Sequence, residues 1–212
     1  MRLRYVCTAL ILGGCAVAGS AQTGSTRAKV AAGSQMSPVQ AQEELLNLFK
    51  QEFMGVAQAM PADKYGFAPT TATFAPSQGA KYDGVRTFAQ EISHVTTANY
   101  YYASTILGEK MPVDPKSIDR LTAKDELLKA AADSFAYAHK ALATITPENA
   151  YTTIEGVDGL HTRSVIASFI SAHGYDRYGQ MVEYLRMGRA ASIPGFAAPS
   201  RCTAQDERLR VE

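Results

Sequence analysis

Residues 161–188, HTRSVIASFISAHGYDRYGQMVEYLRMG, place the tightest constraint on what this chain can fold into. At helical period Ile166, Phe169, Ile170, His173, Arg177, Met181 and Tyr184 fall on one side, the i, i+3, i+4, i+7 pattern of a core-facing helix. His173 and Arg177 lie within roughly 20° of the middle of that apolar stripe. Ionisable groups there are costly unless paired or coordinated. The stretch therefore predicts a core helix with a polar site built into it.

Three further segments read as helices. Ser37-Pro38 has the form of an N-cap followed by proline at the first helical position, opening a helix to about Met60 with Leu45, Leu46, Phe49 and Phe53 on its apolar face. Asp83 to Leu107 forms a second, with Phe88, Ile92, Val95, Asn99, Tyr102 and Ile106 along one side. Gly108 stops it, and Pro112 and Pro115 prevent its resumption. A third starts at Thr122, where Thr122-Ala123-Lys124-Asp125 approximates a capping box, and runs through Leu127, Leu128, Ala131, Phe135 and Ala138 to about Ile145. Residues 61–82, with Tyr65, Phe67 and Phe74 packing back on the helices, and residues 147–160, with Gly156 and Gly159, read as connectors. No segment shows sustained alternation, and no Asn-Gly or Asp-Gly is seen between two alternating runs, so no strand is expected. The expected fold is all-α: a four-helix bundle with long connections between helices one and two and between helices three and four.

The N-terminus has the layout of an export signal. Arg2 and Arg4 precede an apolar run from Tyr5 to Ala18, and Gly19-Ser20-Ala21 offers small residues for cleavage after Ala21. Residues 1–21 are thus read as a signal peptide, 22–36 as a Ser/Gly/Thr-rich linker, 37–201 as the bundle and 202–212 as a tail. The apolar run is too short to span a membrane, and no later segment reaches about 18 apolar residues. Leu12-Gly13-Gly14-Cys15 also resembles a bacterial lipobox, which would leave a lipid anchor on Cys15. Either way the expectation is export, to the periplasm or beyond. Of three cysteines, Cys7 and Cys15 lie in the signal and Cys202 near the end, so no internal disulfide framework is expected. A net charge of +1 leaves no electrostatic footprint for nucleic acid.

The second helix carries Glu91-Ile92-Ser93-His94. Residues three apart share a face, so Glu91 and His94 point the same way, Glu91 beside the apolar stripe and His94 on its flank. Bundle cores build metal sites from such Glu-x-x-His pairs and a histidine on a facing helix, here His173. Asn99 and Gln180 fall near the same faces, where they could orient the histidines or hydrogen-bond within the core. Tyr100, Tyr101 and Tyr102 put aromatics around much of the second helix, and His139 and His161 fall on other surfaces. No Gly-x-Ser-x-Gly elbow or Gly-rich phosphate loop is present.

These segments resemble the DinB-like superfamily: Glu91 to His94, the run from His173 to Arg186, Met60 to Pro69, and the closing Ala198-Pro199-Ser200-Arg201. The resemblance covers about Val39 to Arg201. It implies a four-helix bundle of the DinB/YfiT type, often a homodimer. Typical members bind a divalent metal such as Zn, Ni or Mn through one histidine of helix two and a His-x-x-x-His pair of helix four. Some related members are thiol-dependent transferases or isomerases, or metal-dependent hydrolases acting on small molecules. His94 and His173 match the first two ligands, but the third position is Arg177, which has no free lone pair and stays protonated. Three outcomes stay open: a metal-free site in which Arg177 pairs with Glu91, a remodelled site that recruits Asp176 or Glu91 as ligand, or a structural polar network.

Overall fold

The computed structural model describes residues 30–71 and 81–188. The expected export signal, residues 22–29 of the expected linker, Phe74, all three cysteines and the closing Ala-Pro-Ser-Arg lie outside these. The chain divides into residues 1–35 and 36–212, and of the first unit only 30–35, an exposed turn closed by Ser34 N–H donating to Ala31, is described.

Helix α1 (Pro38–Ala59) starts as expected. The Ser37 hydroxyl accepts from Gln40 N–H and the Gln40 side chain accepts from Ser37 N–H, satisfying two donors the helix would otherwise leave open. Leu46, Phe49, Phe53 and Ala57 form its buried face; Leu45 is 37% exposed and lies off it. A single 3-10 turn (Ala62–Lys64) opens the first connector. The Tyr65 hydroxyl donates to the Ala57 carbonyl (2.8 Å), its ring packs edge-on against Phe88, and Phe67 meets Tyr184.

Helix α2 (Phe88–Leu107) begins five residues later than the sequence suggests. Thr87 is its cap, in a reciprocal box with Gln90, and the carbonyls of Phe67 and Tyr65 accept from Phe88 and Ala89 N–H. The helix ends at Gly108 as read. Pro115, expected to block resumption, instead occupies the first position of a short helix, α3 (Pro115–Asp119), capped by Asp114; proline's missing N–H is no loss there. In α4 (Lys124–Leu142) the cap is Ala123 with no side-chain bond, so the Thr122 box does not form. Asp125 and Glu126 in its first turn face the positive end of the helix dipole instead. It stops three residues short of Ile145.

The second connector overturns the expectation of no strands. Strands β1 (Thr153–Val157) and β2 (Leu160–Thr162) pair antiparallel, Val157 opposite Leu160, with an irregularity before that pair. Asp158 (φ 51°) and Gly159 (φ 79°) make the two-residue turn, both in the left-handed region that such hairpins require. Glu155-Gly156 in one short strand and a half-buried pattern in both hide the alternation. His161 belongs to β2, so α5 runs Arg163–Gly188.

Helices α1 and α2 each pack against both α4 and α5, which puts α1 diagonal to α2. The core centres on Phe49, fully buried, with ring centroids 5.5 Å from Phe53, 5.5 Å from Phe135 and 5.1 Å from Tyr175. A Cβ on Gly174 would run into the Phe49 ring, so the absence of a side chain there lets α1 and α5 approach. No helix among the described residues is long and apolar enough to cross a membrane.

Candidate functional site: a histidine pair beside a buried ion pair

On α5 the predicted stripe divides by depth. Ile166, Ile170, Met181 and Tyr184 are buried, whereas Phe169, His173 and Arg177 are half-buried along the seam with α2. From α2 the facing groups are Glu91, 1% exposed, and His94 one turn on, half-buried. The three-residue spacing of Glu91 and His94 thus presents a deep carboxylate and a shallower imidazole to the same helix.

His94 Nε2 and His173 Nε2 lie 3.1 Å apart, with ring centroids 4.9 Å apart. At that distance one nitrogen donates and the other accepts, which requires a bare Nε2 on one ring. The surroundings favour that state. Burial, then the positive charges of Arg86, His173 and Arg177, bring the His94 pKa down to about 4. Burial and Arg177 also hold His173 below the usual histidine range. Tyr102 packs its ring edge-on against His173 (5.8 Å) and Phe169 (5.3 Å), and its hydroxyl donates to Asp158 of the hairpin turn (2.9 Å). The hairpin missed in the sequence therefore buttresses one wall of the pair.

A group whose folded pKa is depressed in this way takes up its proton later in the folded chain than in the unfolded one. The His94 contribution to stability is thus fully present above its unfolded value, near 6.5, and is lost as pH falls toward about 4. Expected result: the His94 ring resonances in a two-dimensional NMR titration stay in the neutral position down to pH 5. A midpoint near 6.5 would contradict the geometry.

Arg177 stands one turn from His173. Its Nη2 is 3.1 Å from Asp176 Oδ2 and its Nε is 4.0 Å from Glu91 Oε2. The Gln180 amide bridges the two partners. Oriented with its nitrogen toward the carboxylate, it donates to Glu91 Oε1 (3.3 Å) and accepts from Arg177 Nη1 (3.0 Å); the reverse orientation would set oxygen against oxygen. Burial pushes the Glu91 pKa up, and Arg177 and Arg86 offset this only in part. Glu91 Oε2 and Arg177 Nε have no hydrogen-bond partner among the described residues, so the pair is held mainly by charge.

Of the residues singled out in the sequence, Glu91, His94, His173, Arg177 and Gln180 come together, and Asp176 joins from the exposed side by its bond to Arg177. Asn99 does not join them: its amide donates to Ser134 of α4 (3.1 Å) in the buried core. His139 pairs with Glu43 of α1 at 2.7 Å, remote in sequence from the site. Among the described residues no three His, Cys, Asp or Glu side chains converge as metal ligands. The donors near the histidine pair are drawn instead to the Arg177 guanidinium, so the residues present do not complete a four-coordinate centre.

A cleft of about 650 Å³ opens beside the pair, with Arg86, Gln90, Ser93, His94, Thr97 and Asp119 in its wall. Arg86 and Asp119 carry no motif. They reach the site because the turn before α2 and the short helix α3 both pack at this end of the bundle, an arrangement with no local signature.

Comparison with known proteins places this chain in a family. A family model described as the DinB superfamily matches residues 45–181, well over half of the chain. Among solved structures, one described as the conserved protein of a locus from Enterococcus faecalis is 16% identical, with a TM-score of 0.54 over 72% of this chain and 98% of that one. That likeness shows the fold alone. Among curated proteins none matches.

Proposed function

This chain belongs to the DinB superfamily, and from that premise we propose that it is an exported binding bundle whose ancestral metal centre has become metal-free. It holds a small molecule in the cleft beside a neutral histidine pair. The observation that carries this reading is the position of Arg177. Where the resemblance calls for a third ligand, a guanidinium sits between Glu91 and Asp176 and supplies positive charge from the protein itself. Two neutral imidazoles bonded to each other need no metal to satisfy them. Export rests on the charged and apolar layout of residues 1–21.

One observation favours a second reading. An Nε2–Nε2 separation of 3.1 Å is also close to the ~3.3 Å expected between two nitrogens on one tetrahedral zinc. On that reading the chain is a divalent-metal-dependent enzyme, a hydrolase or a thiol-dependent transferase, and Arg177 swings away from the pair.

The substitution Arg177→His separates them. Our reading expects the variant to bind about one Zn²⁺ per chain and to melt higher with zinc than without, while the parent shows neither effect. A variant that takes up no more metal than the parent would count against descent from a metal centre.

A further inference from the structure

The cleft contains two opposite charges without a salt bridge among the described residues, although Arg86 also lends its charge to buried Glu91. Arg86 stands in the turn before α2, next to the Thr87 cap, and Asp119 is the last residue of α3. Both are in the wall of the same cleft, yet neither takes part in an ion pair among the described residues. Nearby Arg177, by contrast, is committed to Glu91 and Asp176. Gln90, Ser93, His94 and Thr97, whose side chains can donate or accept, add to the polar part of the wall.

The backbone that carries each charge is tied to α2, while the Asp119 side chain itself is exposed and that of Arg86 half-buried. Ile118, the neighbour of Asp119, is buried, and the Ser93 hydroxyl donates to its carbonyl (3.4 Å), tying α3 to α2. Arg86 directly precedes the reciprocal Thr87–Gln90 box that begins α2, which sets the chain direction at that point. A backbone anchored in this way leaves only the two side chains to be ordered on binding.

From this arrangement we propose that the cleft binds a small zwitterion of amino-acid to dipeptide size, its carboxylate on Arg86 and its ammonium on Asp119. The guanidinium fork matches a carboxylate in two parallel hydrogen bonds, and an ammonium forms a charge-assisted bond to the aspartate. A simple anion would bring its charge toward Asp119, and a simple cation toward Arg86; a molecule carrying both answers both. The volume, about 650 Å³, lies within the range of small-molecule sites and is ample for a dipeptide. This inference rests on the reading of the bundle as a binding module and names the class of its ligand.

Calorimetric titration of the purified full-length protein with L-alanyl-L-alanine, its N-acetyl derivative and its C-terminal amide tests it. The free dipeptide is expected to bind, and each blocked form to bind about tenfold or more weakly, since each lacks one charge-assisted contact. Arg86→Gln and Asp119→Asn should each weaken the free dipeptide to a similar degree while both variants keep a cooperative melt. Equal binding of all three probes, binding of none, or wild-type affinity in both variants would overturn the proposal. Metal content measured on the same samples keeps the two readings apart: stoichiometric metal contradicts the metal-free site, whereas dipeptide selectivity reads the cleft.

Discussion

Replacing Arg177 with alanine is expected to lower the unfolding free energy by about 3 kcal/mol at pH 8, and by much less at pH 5. The cost arises because Glu91, 1% exposed, keeps its charge after losing its main counter-ion, and a buried carboxylate without a partner is strongly destabilising. The pH dependence follows from the direction of its pKa. Burial already holds Glu91 above the ordinary carboxylate value, and Arg177 is the largest influence in the other direction. The folded chain therefore keeps the Glu91 proton more tightly than the unfolded one. That contribution favours folding below the unfolded pKa and is lost as pH rises through the folded pKa. Removing Arg177 raises the folded pKa further, so at acid pH the variant escapes by protonating Glu91, and at alkaline pH it cannot. Urea unfolding at the two pH values measures this. An equal loss at both would mean that Arg177 acts through packing, not charge.

The second large effect lies in the core beneath the site. Phe49→Ala should cost about 3–5 kcal/mol, because a fully buried ring in contact with Phe53, Phe135 and Tyr175 leaves a cavity that the bundle closes only in part. Its counterpart is Gly174, one residue beyond His173. Gly174→Ala improves helix propensity by about 1 kcal/mol. It nevertheless places a methyl group against the Phe49 ring, so a net loss of about 1–3 kcal/mol is expected. In the double variant the methyl enters space that the ring has left, and the combined loss should fall below the sum of the two. Thermal or urea unfolding of the three variants checks it; strict additivity would show that the two residues do not meet.

The site was legible to the extent that it lies on regular helices. One turn separates His173 from Arg177 and three residues separate Glu91 from His94, so period alone put each pair on one face, and the resemblance joined the two faces. Glu91 proved the deeper and His94 the shallower, as the angular positions suggest. What stayed hidden depends on chain reversals. The Asp158-Gly159 turn was overlooked because its flanking strands are too short to show alternation, yet through Tyr102 it braces His173. Arg86 and Asp119 are separated by the whole of α2, and nothing local marks them as neighbours of one cleft. Of the two roles expected of Asn99, the structure shows the hydrogen bond within the core, because its face of α2 turns toward Ser134 on α4 instead of toward α5. Capping was likewise mixed: the Ser37 box formed, and the Thr122 box gave way to a start at Ala123 supported by first-turn acids.

In the proposed function Arg177, held by Glu91, Gln180 and Asp176, stands in for a metal beside the His94–His173 pair. X-ray fluorescence on the wild-type protein, purified without chelator, tests it most directly. No transition metal above trace level is expected. About one Zn, Ni or Mn per chain would contradict it.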